Sequence, residues 1–73
     1  MEAKVLIALR KMHGLTQHEI ASILGVSRAL IAIVETERQP ISRNLARKVI
    51  ETFGEHQIAV VQIALKAIEG GKS

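Results

Sequence analysis

The chain has 73 residues, of which 48% are apolar, with a net charge of +3 and no cysteine. That length suits one small domain with a marginal core, for which oligomerisation is a common supplement. Without cysteine there is no disulfide and no thiolate site, a composition that fits a reducing cytoplasm.

Other classes are excluded on similar grounds. No run of about 18 uninterrupted apolar residues is present, so no membrane span is expected. The N-terminus lacks a basic stretch followed by an apolar run, so no secretion signal is expected. Only Phe53 is aromatic, which leaves a core of Ile, Leu, Val and Ala and points to helices. Residues 1–50 carry eight Lys/Arg and four Glu, whereas residues 51–73 carry two Lys and three Glu. The positive balance therefore sits in the first two thirds, as a phosphate partner requires, although a solvated surface has the same balance.

Taken in order, residues 2–13 read as a first helix, with Val5, Leu6 and Leu9 at helical spacing, joined by Ala8 and Met12. Gly14 stops it. Thr16 can cap a second helix over Gln17–Leu24. Glu19, three residues on, can reach back to the Thr16 backbone N–H and complete a capping box. Leu15 and Ile20 are placed as its hydrophobic staple. Gly25 ends this helix in the left-handed conformation. Ser27 then caps a third, Arg28–Thr36, with Val26 and Ile31 as staple. Two short helices joined by so tight a turn form a helix-turn-helix, in which the second helix is presented to a partner.

Glu37-Arg38-Gln39-Pro40 reads as a loop, because Pro40 disfavours helix at Gln39. Ser42 caps a fourth helix, Arg43–Phe53, with Leu45, Ala46, Val49, Ile50 and Phe53 inward, and Gly54 ends it. A fifth helix spans about Glu55–Glu69, stopped by Gly70-Gly71, with a frayed Lys72-Ser73 tail. This last helix is apolar around most of its circumference, apart from the line Gln62, Lys66, Glu69. Four short helices cannot surround it, so a second chain is expected on its free face, through Ile58, Val61, Leu65 and Ile68. Exposed aliphatics on a monomer are the alternative.

The string L-R-x-x-x-G-L-T-Q-x-E-I-A-x-x-L-G-V-S-R-x-x-I-x-x-x-E, from Leu9 to Glu35, resembles the DNA-binding domains of the lambda-repressor-like family (Cro and cI type, also called XRE). The likeness continues more weakly to Phe53. It implies an all-α, five-helix fold with a helix-turn-helix unit over residues 1–54; the surplus apolar face of the fifth helix makes 55–73 a dimerisation helix and tail, the whole forming one compact domain. The likeness also implies that Gln17 meets a backbone phosphate and that Arg10 and Glu35 form a structural ion pair. Ser27 and Arg28 open the third helix at its base- and phosphate-facing end, with pure capping the alternative for Ser27 and a solvated surface arginine the alternative for Arg28. The loop residues Arg38 and Gln39, and the start of the fourth helix with Arg43, Asn44, Arg47 and Lys48, would grip the sugar-phosphate backbone. The chain departs from the family in two places. Glu37 stands where members usually carry Gly, and the loop before Pro40 is about one residue short. The reading face is Ala29, Ala32, Ile33 and Thr36, where Arg, Gln, Asn or Lys are usual.

Two functions remain open on these residues. One is a transcriptional regulator, in particular a repressor, binding double-stranded operator DNA as a homodimer in the cytoplasm. The other is a protein-interaction module on the same fold, antirepressor- or antitoxin-like, which docks the apolar face of helix three on a protein. Enzymatic readings fail. There is no Asp, Cys, Tyr or Trp. His13, His18 and His56 lack metal-ligand spacing, Ser22, Ser27 and Ser42 lack a base, and no phosphate loop is present. No catalytic residue, metal or cofactor is expected.

Overall fold

Five helices follow one another in the computed structural model, which describes residues 1–70: α1 (Ala3–Met12), α2 (Gln17–Leu24), α3 (Arg28–Glu35), α4 (Arg43–Phe53) and α5 (Glu55–Gly70). Their starts are set by local chemistry. Thr16 Oγ1 accepts the Glu19 N–H at 3.0 Å while the Thr16 N–H donates to Glu19 Oε1 at 2.9 Å, so the capping box is complete. Ser27 and Ser42 accept the N–H of Leu30 and Leu45, each at 3.1 Å. Each of these bonds satisfies an amide that the helix cannot pair internally.

The ends of the first three helices repeat one device. After α1 the Gly14 N–H donates to Lys11 and the Leu15 N–H to Arg10; after α2 the Gly25 N–H donates to Ser22 and the Val26 N–H to Ala21. After α3 the Glu37 N–H donates to Val34 and the Arg38 N–H to Ile33. All three are Schellman closures, which need a left-handed residue in the middle. Gly14 and Gly25 supply it with φ of 64° and 69°, whereas Glu37 is forced to 62° despite its side chain. Thr36 is the cap of α3, one residue beyond the helix, rather than its last member.

One core joins all five helices. It contains Leu6 and Leu9 of α1, Ile20 of α2, Ile31 and Val34 of α3, and Val49 of α4, all essentially inaccessible, with Ile58 and Val61 of α5 closing one side. Each such side chain stabilises the fold by about 1.5–3 kcal/mol relative to exposure. No aromatic ring is buried in it. Phe53 is half-buried and lies against the His13 imidazole, ring centroids 5.1 Å apart. Met12, expected on the inner stripe of α1, is 61% exposed.

The larger correction concerns α5, which packs against α1 and α4. Ile58 and Val61, expected to face a second chain, are buried in the chain's own core, and Leu65 packs against that core. Of the four residues expected at a dimer contact only Ile68 is exposed. The uncovered apolar stripe is instead Val60, Ile63, Ala64 and Ala67, at spacings of i, i+3, i+4 and i+7. Lys4 Nζ meets Glu69 Oε1 at 2.8 Å and ties the end of α5 to α1. Gly70, expected as part of a stop signal, still belongs to α5; Gly71, Lys72 and Ser73 lie outside the described residues. Among the described residues no single helix is long and apolar enough to cross a membrane.

Candidate nucleic-acid interface

The chain turns by 115° between α2 and α3, inside the range that lets the second helix of a helix-turn-helix project from the domain. Ile31 and Val34 hold α3 to the core. That places Ala29 and Ile33 outward, with Ala32 half-buried between them and Thr36 exposed at the C-terminal end. The outward face is thus the apolar one, as the sequence indicated. Thr36 has less to offer than its position suggests, because its hydroxyl donates to the Ile33 carbonyl at 2.8 Å. Ser27 is exposed, and its hydroxyl oxygen already accepts the capping N–H.

A hydrogen-bonded relay runs behind this face. Arg10 donates from Nε to Glu35 Oε2 at 2.7 Å, from Nη2 to Glu35 Oε1 at 3.0 Å, and from Nη1 to the Leu15 carbonyl at 2.9 Å. The Glu35 bond holds the Arg10 guanidinium above its already high pKa. Gln17 Nε2 donates to Glu35 Oε1 at 3.1 Å, and Arg28 Nη1 donates to Gln17 Oε1 at 3.3 Å. The ion pair expected between Arg10 and Glu35 is therefore present, but it is more than a strut. The half-buried Gln17, expected on a phosphate, accepts from Arg28 as well as donating to Glu35. Sequence reading missed this use of Glu35. The signal was the placement of Gln17 and Arg28 at the first positions of two helices that meet.

The remaining expected contacts lie further along the chain. Arg38 and Gln39 are exposed in the loop, and Arg43, Asn44, Arg47 and Lys48 are exposed on α4. Among the described residues the ion pairs are Lys4–Glu69 and Arg10–Glu35. Among those residues, Arg28, Arg38, Arg43, Arg47 and Lys48 thus have no carboxylate at salt-bridge distance. Unneutralised cations on consecutive elements are what a sequence-independent attraction to phosphates would need. Glu37, exposed between α3 and this loop, works against it.

Comparison with known proteins agrees with the helix-turn-helix arrangement. A family model described as helix-turn-helix, of the Cro/cI (XRE) type, matches residues 6–56, from the middle of α1 to the start of α5. No curated protein and no solved structure matches the chain.

Proposed function

The chain belongs to this helix-turn-helix family, and on that premise we propose that it is a transcriptional repressor that binds operator DNA as a homodimer. The action is binding, with no catalytic step, and its place is the cytoplasm, where its DNA target lies. The observation that carries this reading is the combination of a projecting α3 with the unneutralised cations Arg28, Arg38, Arg43, Arg47 and Lys48. The second copy is supported by the uncovered apolar stripe of α5, which water alone would otherwise face. A two-fold dimer of such units reads two half-sites about 34–36 Å apart. Selection of bound sequences from random duplex DNA at two salt concentrations tests the proposal. A palindrome should emerge at both; binding with no enriched sequence defeats it.

One observation favours a different partner. The outward part of α3 is Ala29, Ala32 and Ile33, and Ile33 is 38% exposed without a single hydrogen-bonding atom in its side chain. In a major groove these residues can touch only thymine methyls; on a protein they would fill an apolar pocket. Ile33→Asp separates the two. It should remove DNA affinity if α3 enters the groove, because a carboxylate is brought among phosphates, and leave DNA affinity intact if α3 docks on protein.

A further inference from the structure

We propose that Arg28 reads a guanine, and that this one base pair in each half-site carries the hydrogen-bonded part of recognition by α3. The inference rests on the DNA-binding function proposed above and adds to it what the operator must contain.

The direction of the Gln17 amide is fixed by its two neighbours. A carboxylate only accepts and a guanidinium only donates. Glu35 Oε1 therefore demands the amide N–H of Gln17 at 3.1 Å, and Arg28 Nη1 demands its carbonyl oxygen at 3.3 Å. The amide cannot be reversed without opposing donor to donor and acceptor to acceptor at once. Glu35 is itself fixed by two bonds from Arg10. The relay thus ends in an outward-facing acceptor, and the residue beside it must be a donor. Arg28 gives one N–H to that acceptor and keeps its others for an outside partner.

A group that only donates discriminates among base edges. In the major groove guanine shows two adjacent acceptors, N7 and O6. Adenine places a donor beside its N7, thymine a methyl beside its O4, and cytosine a donor. Guanine alone satisfies a guanidinium at two points. Arg28 stands in the first turn of α3, the end that approaches base edges. Within α3 the only other polar residue is Glu35, whose side chain is 8% exposed and already paired. Ala29, Ala32 and Ile33 offer no hydrogen bond. The half-site should therefore show one strongly required G·C pair, flanked by positions where only a thymine methyl is preferred. Phosphate attraction does not need Arg28, since the loop and α4 supply Arg38, Arg43, Arg47 and Lys48.

The experiment uses the full chain and the duplex that it selects. Replacing the required guanine with 7-deazaguanine removes one acceptor and leaves base pairing and phosphates unchanged. It should weaken wild-type binding roughly tenfold, within the range for disrupting one bidentate pairing to a base. The same replacement should cost Arg28→Ala almost nothing, and the Arg28→Ala selection should lose the G·C requirement while keeping the rest of the consensus. If instead Arg28→Ala weakens every duplex alike and flattens the salt dependence by about 0.9 in the log–log slope, Arg28 lies on a phosphate; the guanine assignment falls and the regulator stands. If the wild type enriches no sequence at all, both fall.

Discussion

Arg10 and Glu35 stand 25 residues apart and meet through two parallel bonds of 2.7 and 3.0 Å, with side chains only 16% and 8% exposed. The pair joins α1 to the last residue of α3 and fixes where the helix-turn-helix sits on the core. Glu35→Ala would strand a largely desolvated guanidinium and release Gln17. The pair is partly buried, so the expected cost is about 2 kcal/mol, below the roughly 3–5 kcal/mol for breaking a fully buried one, read as a fall in Tm of roughly 4–8 °C per kcal/mol. Much of the loss should persist at high salt, because partly buried pairs are screened less than exposed ones. A loss that vanishes in thermal melts at 1 M salt (a Debye length of about 3 Å) would mark the pair as a surface contact.

Glu19 links stability to pH. The Thr16 backbone N–H holds its carboxyl below the ordinary 4.5, helped by the Thr16 side chain. A carboxylate that is more acidic in the folded state contributes stability above its unfolded pKa and loses it as the pH falls through its folded one. Wild type and Glu19→Gln should therefore differ most near neutrality and converge as acid protonates Glu19. Urea unfolding midpoints at several pH values check this; a constant difference down to low pH would count against the capping box as its source.

Glu37 occupies the left-handed centre of the α3 closure at φ 62°, a place that suits glycine. Glu37→Gly removes that strain at some entropic cost in the unfolded chain, so a net gain of about 0.5–1 kcal/mol is expected. It also removes a carboxylate next to the proposed phosphate contacts, so DNA affinity should rise in the same variant. Calorimetry and a binding titration on one preparation read both.

Arg43 and Arg47 lie one turn apart on α4, exposed and without a carboxylate partner among the described residues. If α4 lies along the backbone, replacing both with Gln should lower specific and non-specific affinity alike. The salt dependence should then flatten by about 0.9 for each phosphate that is no longer neutralised. An unchanged slope would remove α4 from the interface.

Val60 and Ile63 are 47% and 69% exposed on the uncovered side of α5. Val60→Lys with Ile63→Lys should shift the sedimentation mass from dimer to monomer without lowering the melting temperature of the monomeric unit. Truncating α5 cannot separate the two effects, because it also removes Ile58 and Val61 from the core. A wild type already monomeric at high micromolar concentration would defeat the proposed dimer.

The helices and their ends were legible in the residues because caps are local. Thr16 with Glu19, Ser27, Ser42, Gly14 and Gly25 act within a few positions of themselves, so the sequence alone determined five helices, the helix-turn-helix and the apolar outer face of α3. It placed Ile31 inward for the same reason, as the staple partner of Val26 beside the Ser27 cap. Two matters were decided only by tertiary structure. On α5 aliphatic side chains occupy nearly every direction, so periodicity names no inner face; the positions of α1 and α4 chose Ile58, Val61 and Leu65 and left Val60 and Ile63 outside. The direction of the Gln17 amide is likewise set by Glu35 and Arg28, residues far along the chain that only the packing of α2 against α3 brings within hydrogen-bonding distance.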